Sequence, residues 1–160
     1  MKKIHFISYT PQETMQWGKR IARRLWPSSV ICLTGNLGSG KTTFVKGVAQ
    51  GLQISPVKVN SPTFVLLNIY EGKRSLFHFD FYRLEQLEEI EKIGYDEFLY
   101  GDGVTVIEWA ERLRHLFPTE NLTVKLGYKT EQERTLEIVA HGERYERLLE
   151  EVGKKGSWKF

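Results

Sequence analysis

The spacing of apolar residues predicts alternating strands and helices in the first third of the chain. Residues 3–9 alternate between apolar and polar, as in a strand with one buried face. Thr10-Pro11-Gln12-Glu13 then has the pattern of a helix N-terminus, with a capping box and a proline at the first helical position. Residues 28–34 hold an apolar run typical of a buried strand. After a glycine-rich turn, a helical spacing extends from Lys41 to Leu52.

The rest of the chain has the pattern of two antiparallel hairpins with helices and one further strand between and after them. The hairpin strands are predicted at 64–70 with 76–79, and at 122–128 with 135–140. The remaining strand is predicted at 104–107, and helical segments at 84–93, 96–100, 110–116 and 143–152. These elements predict an α/β fold, a three-layer sandwich with a mixed parallel and antiparallel sheet. We expect a single domain of residues 1–152 and a polar tail at 153–160.

Composition excludes several classes of protein. With 41% hydrophobic residues and a net charge of +3, the 160-residue chain is too apolar and too weakly charged to be intrinsically disordered. Its single cysteine, Cys32, cannot form an internal disulfide or a cysteine-rich zinc site. The charge is too small to indicate nucleic-acid binding by itself. Because no run of about 18 apolar residues and no signal-peptide core is found, we expect a soluble cytoplasmic protein with no membrane segment.

The strongest chemical signal is a phosphate-binding motif between the second predicted strand and the second predicted helix. Residues 35–42, Gly-Asn-Leu-Gly-Ser-Gly-Lys-Thr, match G-x-x-x-x-G-K-[ST] at every fixed position. Its glycines let backbone N–H groups turn toward a phosphate, and the following helix adds the positive end of its dipole. In such a loop Lys41 contacts the β- and γ-phosphates and the Thr42 hydroxyl binds Mg²⁺. The residues predicted to bind nucleotide here are Gly35, Asn36, Leu37, Gly38, Ser39, Gly40, Lys41, Thr42 and Thr43.

Two acidic residues that end predicted strands are candidates for a metal site. Asp80 and Glu108 each follow a mostly apolar run, and a carboxylate at the end of a parallel strand can bind Mg²⁺ or orient a water molecule. The alternative for each is a helix cap or a surface charge. His78 alternates against its phenylalanine neighbours and is interpreted as a structural residue. Ser61-Pro62-Thr63 is either a switch-like segment that reaches the metal or γ-phosphate, or a simple turn before a strand.

Taken in order, these motifs resemble the TsaE family, also known as the small YjeE-type ATPases. The match consists of the P-loop, Ser-Pro-Thr-Phe at 61–64, His-Phe-Asp-Phe-Tyr-Arg-Leu at 78–84 and Ile-Glu-Trp at 107–109. The resemblance implies a P-loop NTPase-like fold and weak, partner-stimulated ATP hydrolysis. It also implies a need for the protein in threonylcarbamoyl adenosine modification of bacterial tRNA. The partner would be the TsaD–TsaB complex, in which TsaD transfers the group, so that contact with tRNA would be indirect.

The same resemblance assigns cofactors and roles to residues of this sequence. ATP and Mg²⁺ are the implied cofactors. The implied catalytic residues are Lys41, Asp80 and Glu108, and the implied metal ligands are Thr42, Glu108 and Asp80. Ser61 and Thr63 would belong to a switch-like segment. The Thr10–Pro11 turn and Arg134 would lie near the adenine.

Three other functions stay open on the residues alone. A small-molecule P-loop kinase would need an acceptor pocket and an arginine-rich lid, and the arginines of the second half are scattered. A GTPase would need an Asn-Lys-x-Asp sequence, which the chain lacks. A nucleotide-gated binding module without significant turnover would use ATP only to order a surface for a partner.

For an ATPase, we expect Glu108→Ala to reduce the rate of ATP turnover more than the stability of the fold, because an acid at a strand end is not expected in the core.

Overall fold

The computed structural model describes residues 2–154, which form one seven-stranded sheet flanked by helices. The strands are β1 (Lys2–Ser8), β2 (Val30–Thr34), β3 (Leu67–Tyr70), β4 (Leu76–Asp80), β5 (Val104–Glu108), β6 (Asn121–Tyr128) and β7 (Arg134–His141). The α-helices are α1 (Pro11–Ala22), α2 (Lys41–Gly51), α3 (Glu88–Lys92), α4 (Tyr95–Leu99) and α5 (Glu143–Val152). Two 3₁₀ helices are formed by Pro56–Lys58 and by Ala110–Leu116, so the segment predicted as helical at 110–116 is a 3₁₀ helix, interrupted at Arg114. Most of the tail predicted at 153–160 lies outside the described residues.

The sheet has a parallel centre and antiparallel edges. Its strand order is β1-β7-β6-β2-β5-β4-β3. β2 runs parallel to both β5 and β6, and β4 runs parallel to β5. The pairs β1–β7, β6–β7 and β3–β4 are antiparallel. The predicted mixed sheet and both predicted hairpins are therefore confirmed.

Two segments differ from the elements predicted for them. Residues 64–66 form a turn before β3, because Leu66 has a φ of 69°, which a strand does not accommodate. The helix predicted from residue 84 begins only at Glu88. The carboxylate of Glu89 accepts the backbone N–H groups of Glu85 and Gln86, at 3.1 and 3.0 Å, and holds the preceding segment outside the helix.

Alternation along the central strands divides the core between the two faces of the sheet. In β2, Ile31 and Leu33 pack with residues of α1, α2 and α5, whereas Val30 and Cys32 pack with residues of α3 and α4. The layers are thus helix, sheet and helix, as predicted. Cys32 is fully buried, and burial raises the pKa of its thiol. Within residues 2–154 no helix is both long and apolar enough to cross a membrane.

The start of α1 confirms the predicted capping box with one difference. Thr10 Oγ1 accepts the N–H of Glu13 at 3.1 Å, as the pattern predicts. The carboxylate of Glu13 accepts the N–H of Tyr9, at 2.9 Å, and not that of Thr10. Both bonds fix the position at which β1 turns into the helix.

Helices α1 and α2 approach each other closely at two glycines. A Cβ atom on Gly47 would lie 2.0 Å from Met15 O, and one on Gly18 would lie 2.4 Å from Phe44 O. Backbone atoms of one helix therefore occupy the space that a side chain of the other would need. This contact holds α2, and with it the loop that precedes α2, against α1.

Gly47→Ala is expected to lower the free energy of unfolding by about 1–3 kcal/mol, because its methyl group must push the two helices apart. Urea unfolding followed by circular dichroism measures the change. Gln50→Ala, a half-buried position on the same helix, is the matched control and should change stability by no more than about 0.5 kcal/mol. Equal stability of Gly47→Ala and the wild type would contradict the close-contact argument.

Candidate nucleotide-binding site

Three parallel strands end at one edge of the sheet and bring distant residues together. β2 leads into residues 35–40, β4 ends at Asp80 and β5 ends at Glu108. Asp80 and Glu108 are register partners on neighbouring strands, and Leu33 is opposite Glu108 on the other side. The carboxyl ends of parallel strands are where α/β sheets bind their ligands.

The loop at residues 35–40 adopts a backbone conformation that its glycines permit. Gly35, Gly38 and Gly40 have φ values of 140°, 80° and 101°. A Cβ atom on Gly35 would lie 2.4 Å from Leu126 O, so a side chain does not fit there. Gly40 is the cap residue of α2 and has no side chain to occupy the first N–H groups of the helix. Those groups are suited to an anion.

Lys41 is buried, and its ammonium binds the loop. Its Nζ atom donates hydrogen bonds to Gly35 O at 2.6 Å, Asn36 O at 3.0 Å and Ser39 Oγ at 3.3 Å. It also lies 4.2 Å from the ring centroid of Trp109. Burial lowers the pKa of Lys41, and nearby carboxylates, chiefly that of Glu108, act in the opposite direction.

Glu108 is the centre of a buried hydrogen-bond network and is only 1% exposed. Its Oε1 accepts a hydrogen bond from Thr42 Oγ1 at 2.9 Å. Its Oε2 lies 2.9 Å from Ser61 Oγ and 3.2 Å from His78 Nε2. Burial by itself acts to raise the pKa of Glu108, but His78 and the two hydroxyl donors outweigh it and hold the pKa below its ordinary value.

The expectation that Glu108 lies outside the core is therefore wrong. Strand β5 is central in the sheet, and its last residue is covered by α2 and by the segment that contains Ser61. Replacing Glu108 with alanine would leave the buried Nε2 atom of His78 and the half-buried hydroxyl of Thr42 without this partner, whereas Ser61 would keep Asp80. A buried polar group left unsatisfied costs about 1–3 kcal/mol. An alanine variant would lose stability as well as any chemistry that the carboxylate performs.

Asp80 connects the switch-like segment to the sheet. Its Oδ2 lies 2.5 Å from Ser61 Oγ and accepts a hydrogen bond from Thr63 Oγ1 at 3.0 Å. Its Oδ1 accepts the backbone N–H of Tyr82 at 2.9 Å. Ser61 Oγ is thus within hydrogen-bond distance of both acids. Asp80 is 2% exposed, so neither acid is a surface charge.

The loop, the two acids and the switch-like segment enclose a cleft of about 380 Å³. Two aromatic side chains, Tyr82 and Trp109, complete its lining, with ring centroids 4.8 Å apart. Trp109 has φ 58° and ψ 41°, a left-handed conformation that is rare for a bulky residue. Sequence reasoning noted both aromatics only as parts of a motif and gave them no role.

Arg134 reaches the loop from β7, whereas Pro11 does not line the cleft. Arg134 Nη2 donates to Gly38 O at 3.1 Å, and its guanidinium lies 4.7 Å from the ring centroid of Tyr128. Pro11 begins α1, three residues after Ser8, which is the register partner of Arg134. A position of the Thr10–Pro11 turn near the adenine stays a prediction.

Comparison with known proteins identifies the family. The family model described as threonylcarbamoyl adenosine biosynthesis protein TsaE matches residues 8–136. The chain belongs to the TsaE family. The tRNA threonylcarbamoyladenosine biosynthesis protein TsaE of Bacillus subtilis strain 168 is 40% identical over 155 residues, which is 96% of each chain. The TsaE protein of Treponema pallidum strain Nichols is 42% identical over 132 residues, 82% of this chain and 97% of the relative.

A solved structure supports the same TsaE assignment at the level of the fold. The crystal structure of YdiB from Bacillus subtilis superimposes with a TM-score of 0.78 at 34% identity. The alignment covers 94% of both chains. The resemblance to TsaE and the α/β fold expected from the sequence are both confirmed.

The cleft of this TsaE-family chain has the donor set that Mg²⁺ prefers. Thr42, Ser61 and Thr63 present hydroxyl oxygens there, and Asp80 and Glu108 present carboxylates. Mg²⁺ takes oxygen ligands and is usually bound by one or two carboxylates together with phosphate oxygens. The residues therefore fit a magnesium nucleotide, with the glycine loop for the phosphates and the hydroxyls and acids for the ion.

His78 is the residue of this TsaE site whose role the alternation pattern did not predict. It is fully buried, as expected of a structural residue, but it also contacts Glu108. The signal that could have revealed this contact is its spacing from Asp80. Residues two apart on a strand lie on the same face, so His78 shares the face of Asp80 and is directed to the same side of the sheet.

Proposed function

We propose that this chain binds ATP, hydrolyses it weakly by itself and acts with the TsaD–TsaB complex in the threonylcarbamoyl adenosine modification of tRNA. In this proposal it resets or regulates that complex and does not transfer the threonylcarbamoyl group. Membership of the TsaE family supports the pathway. We further propose that it works in the cytoplasm and contacts tRNA only through the complex.

The observation that best supports ATP chemistry is a continuous network from the loop to both acids. Thr42 directly follows the lysine of the loop and bonds to Glu108. Ser61 then connects Glu108 to Asp80. A structural glycine turn between a strand and a helix does not require two buried carboxylates at its side. A site that binds a magnesium nucleotide uses such carboxylates to hold the ion and to orient water.

The loop residues would bind the phosphates and neutralise their charge. The N–H groups of residues 35–43 would donate to phosphate oxygens. The Lys41 ammonium donates here to neutral oxygens of the loop, and charged phosphate oxygens form stronger bonds with the same donor. Lys41 would thereby stabilise negative charge on the phosphoryl group during hydrolysis.

Thr42 and Glu108 would hold Mg²⁺, with Asp80 beside them. The bound ion would supply Lewis-acid stabilisation of the phosphate charge. The lowered pKa of Glu108 keeps its side chain ionised near neutral pH. In that form it can serve as an oxygen ligand or accept a hydrogen bond from an attacking water.

The switch-like segment would be the part of the site that a partner completes. Asp80 holds the segment through the hydroxyls of Ser61 and Thr63. Next to them Phe64 is 80% exposed, with the guanidinium of Arg83 lying 4.3 Å from its ring centroid. A partner that covers Phe64 would restrict the segment and with it the two hydroxyls in the cleft. This explains why turnover would be weak in the isolated protein.

ATP hydrolysis by the purified chain is expected to be slow and to rise when TsaD–TsaB is added. Release of inorganic phosphate measures both rates, and TsaD–TsaB without the chain supplies the background. If the chain bound ATP but TsaD–TsaB did not increase the rate of hydrolysis, the proposed role of the partner would be contradicted. Transfer of the γ-phosphate to a small acceptor would instead favour the kinase alternative. If the chain bound TsaD–TsaB only in the presence of ATP but did not hydrolyse the ATP, the nucleotide-gated binding module would be favoured.

A further inference from the structure

His78 is a fully buried polar residue behind the nucleotide cleft, and it does not line the cleft. Its only side-chain hydrogen-bond contact within residues 2–154 joins Nε2 to Oε2 of Glu108, at 3.2 Å. Removing an imidazole from water costs free energy that an apolar side chain at the same position would not cost. Any effect of His78 on a bound nucleotide must act through Glu108.

Strand β4 and its neighbours hold the His78 ring in place. The residue is opposite Asn68 on β3 and Val106 on β5, so backbone pairing fixes its main chain on both sides. The centroid of the Tyr70 ring lies 6.3 Å from that of the imidazole. The Tyr70 hydroxyl is in turn bound to Asn60 O at 3.2 Å. A hydrogen-bond donor held in this way can fix the orientation of the group that it binds.

The proton of the His78 imidazole belongs on the nitrogen that faces Glu108. The other nitrogen, Nδ1, is buried and has no hydrogen-bond partner in the part of the chain that the structure describes. A proton on Nδ1 would be a buried donor without an acceptor, which is unfavourable. A proton on Nε2 has the Glu108 carboxylate as its acceptor. The neutral ring that carries its proton on Nε2 therefore fits both surroundings.

The two carboxylate oxygens of Glu108 have different neighbours. Oε1 accepts from Thr42, the residue that would hold Mg²⁺ together with Glu108. Oε2 faces both His78 and Ser61. A hydroxyl has one proton, and Ser61 Oγ is also within hydrogen-bond distance of Asp80, so Ser61 donates to one acid at a time. Among the described residues, His78 is thus the neighbour of Oε2 whose proton is not shared with another acid.

We propose that His78 is a positioning residue for Mg²⁺, because it holds Oε2 of Glu108 and leaves Oε1, the oxygen on the Thr42 side, for the ion. This role rests on the proposed function, in which Glu108 and Thr42 hold a magnesium nucleotide. Mg²⁺ requires nearly ideal octahedral geometry, so a carboxylate that is free to rotate binds it less well. Loss of a residue that orients a metal ligand typically lowers metal affinity by about 10–100-fold. Nucleotide bound without the ion would not depend on His78.

Isothermal titration of the full chain with AMP-PNP, a non-hydrolysable ATP analogue, tests this role when it is done once with Mg²⁺ and once with EDTA. His78→Leu keeps a similar volume and has no donor. Its affinity in Mg²⁺ should be weaker by about 10–100-fold, whereas its affinity in EDTA should equal that of the wild type. His78→Gln has an N–H donor again and should recover most of the affinity in Mg²⁺. Leu76→Val, at a fully buried position on the same face of β4, is the matched control and should leave both affinities unchanged.

The outcomes distinguish the role of His78 from the function on which it rests. If Mg²⁺ did not change the affinity of the wild type, the proposed metal site and the role of His78 would both be overturned. If Mg²⁺ raised the affinity of His78→Leu as much as that of the wild type, only the role of His78 would be overturned. An equal loss of affinity with and without Mg²⁺, or no recovery in His78→Gln, would also overturn it, because a merely structural role predicts these results. Urea unfolding verifies that the variants are folded, and His78→Phe, which also lacks a donor, replaces His78→Leu if the latter is unfolded.

Discussion

ATP binding by the Lys41→Ala variant is expected to be weaker than wild-type binding by on the order of 100-fold, the value for loss of a charge-assisted hydrogen bond to a phosphate. Lys41 is the buried cation of the glycine loop, and the loop surrounds its ammonium with three oxygen atoms. The variant therefore loses both the charge and the group that holds the loop. Isothermal titration with Mg²⁺ and ATP measures the affinity.

The control for Lys41→Ala is Lys46→Ala, a half-buried lysine on the same helix that does not line the cleft. It removes the same positive charge from the same helix and should leave ATP affinity unchanged. Circular dichroism should show a folded protein for both variants. Equal ATP affinity in Lys41→Ala and Lys46→Ala would show that the loop lysine does not bind phosphate.

Glu108→Gln should reduce partner-stimulated ATP hydrolysis by about 100-fold or more, which is the usual effect of removing a group that orients water or stabilises charge. Glutamine keeps the size of the side chain, and its single carbonyl oxygen can accept either from Thr42 or from Ser61, which bond to different oxygens of Glu108. It lacks the negative charge that would hold Mg²⁺. Phosphate release in the presence of TsaD–TsaB measures the effect.

Glu111→Gln is the matched control for Glu108→Gln, because it removes an exposed carboxylate three residues away. It should leave turnover close to that of the wild type. Intact hydrolysis in Glu108→Gln would show that Glu108 neither binds the metal nor positions the water. Glutamine is preferred to alanine because Glu108 is buried among three polar partners.

The pH dependence of stability checks the ionisation of Glu108 independently of turnover. Its pKa is lowered in the folded protein, so it stabilises the fold above its ordinary pKa of 4.5. That contribution is lost as the pH falls through the lowered value. The free-energy difference between wild type and Glu108→Gln should therefore shrink on acidification below pH 4.5. A difference that stays constant with pH would contradict the lowered pKa.

Local patterns predicted most of the secondary structure because each depends on neighbours in sequence. The capping box at Thr10, the glycine loop before Lys41 and the hairpins all follow from the conformations that short segments allow. Where a long-range or side-chain contact competed, the prediction was wrong. Glu89 took up the N–H groups of the segment before α3, and the helix began four residues later than expected.

The cleft itself could be predicted only in part. Asp80 and Glu108 were found because both end apolar runs, but nothing local indicates that one serine hydroxyl lies between them. Trp109 is placed over Lys41 by a left-handed backbone conformation, which is not predicted for a tryptophan. The contact of His78 with Glu108 requires that β4 and β5 are neighbours in the sheet.

The sequence by itself determined the glycine loop with its lysine and threonine, the α/β class and the resemblance to TsaE, because these depend on residue type and short spacing. Only the tertiary structure decided that Glu108 is buried, that Ser61 contacts both acids, and that His78 contacts one oxygen of Glu108. These are consequences of strand order and register, which bring residues together that are tens of positions apart. A pattern of nearby residues carries no information on which strand lies beside which, and the free energy that selects the order comes from packing of the whole core.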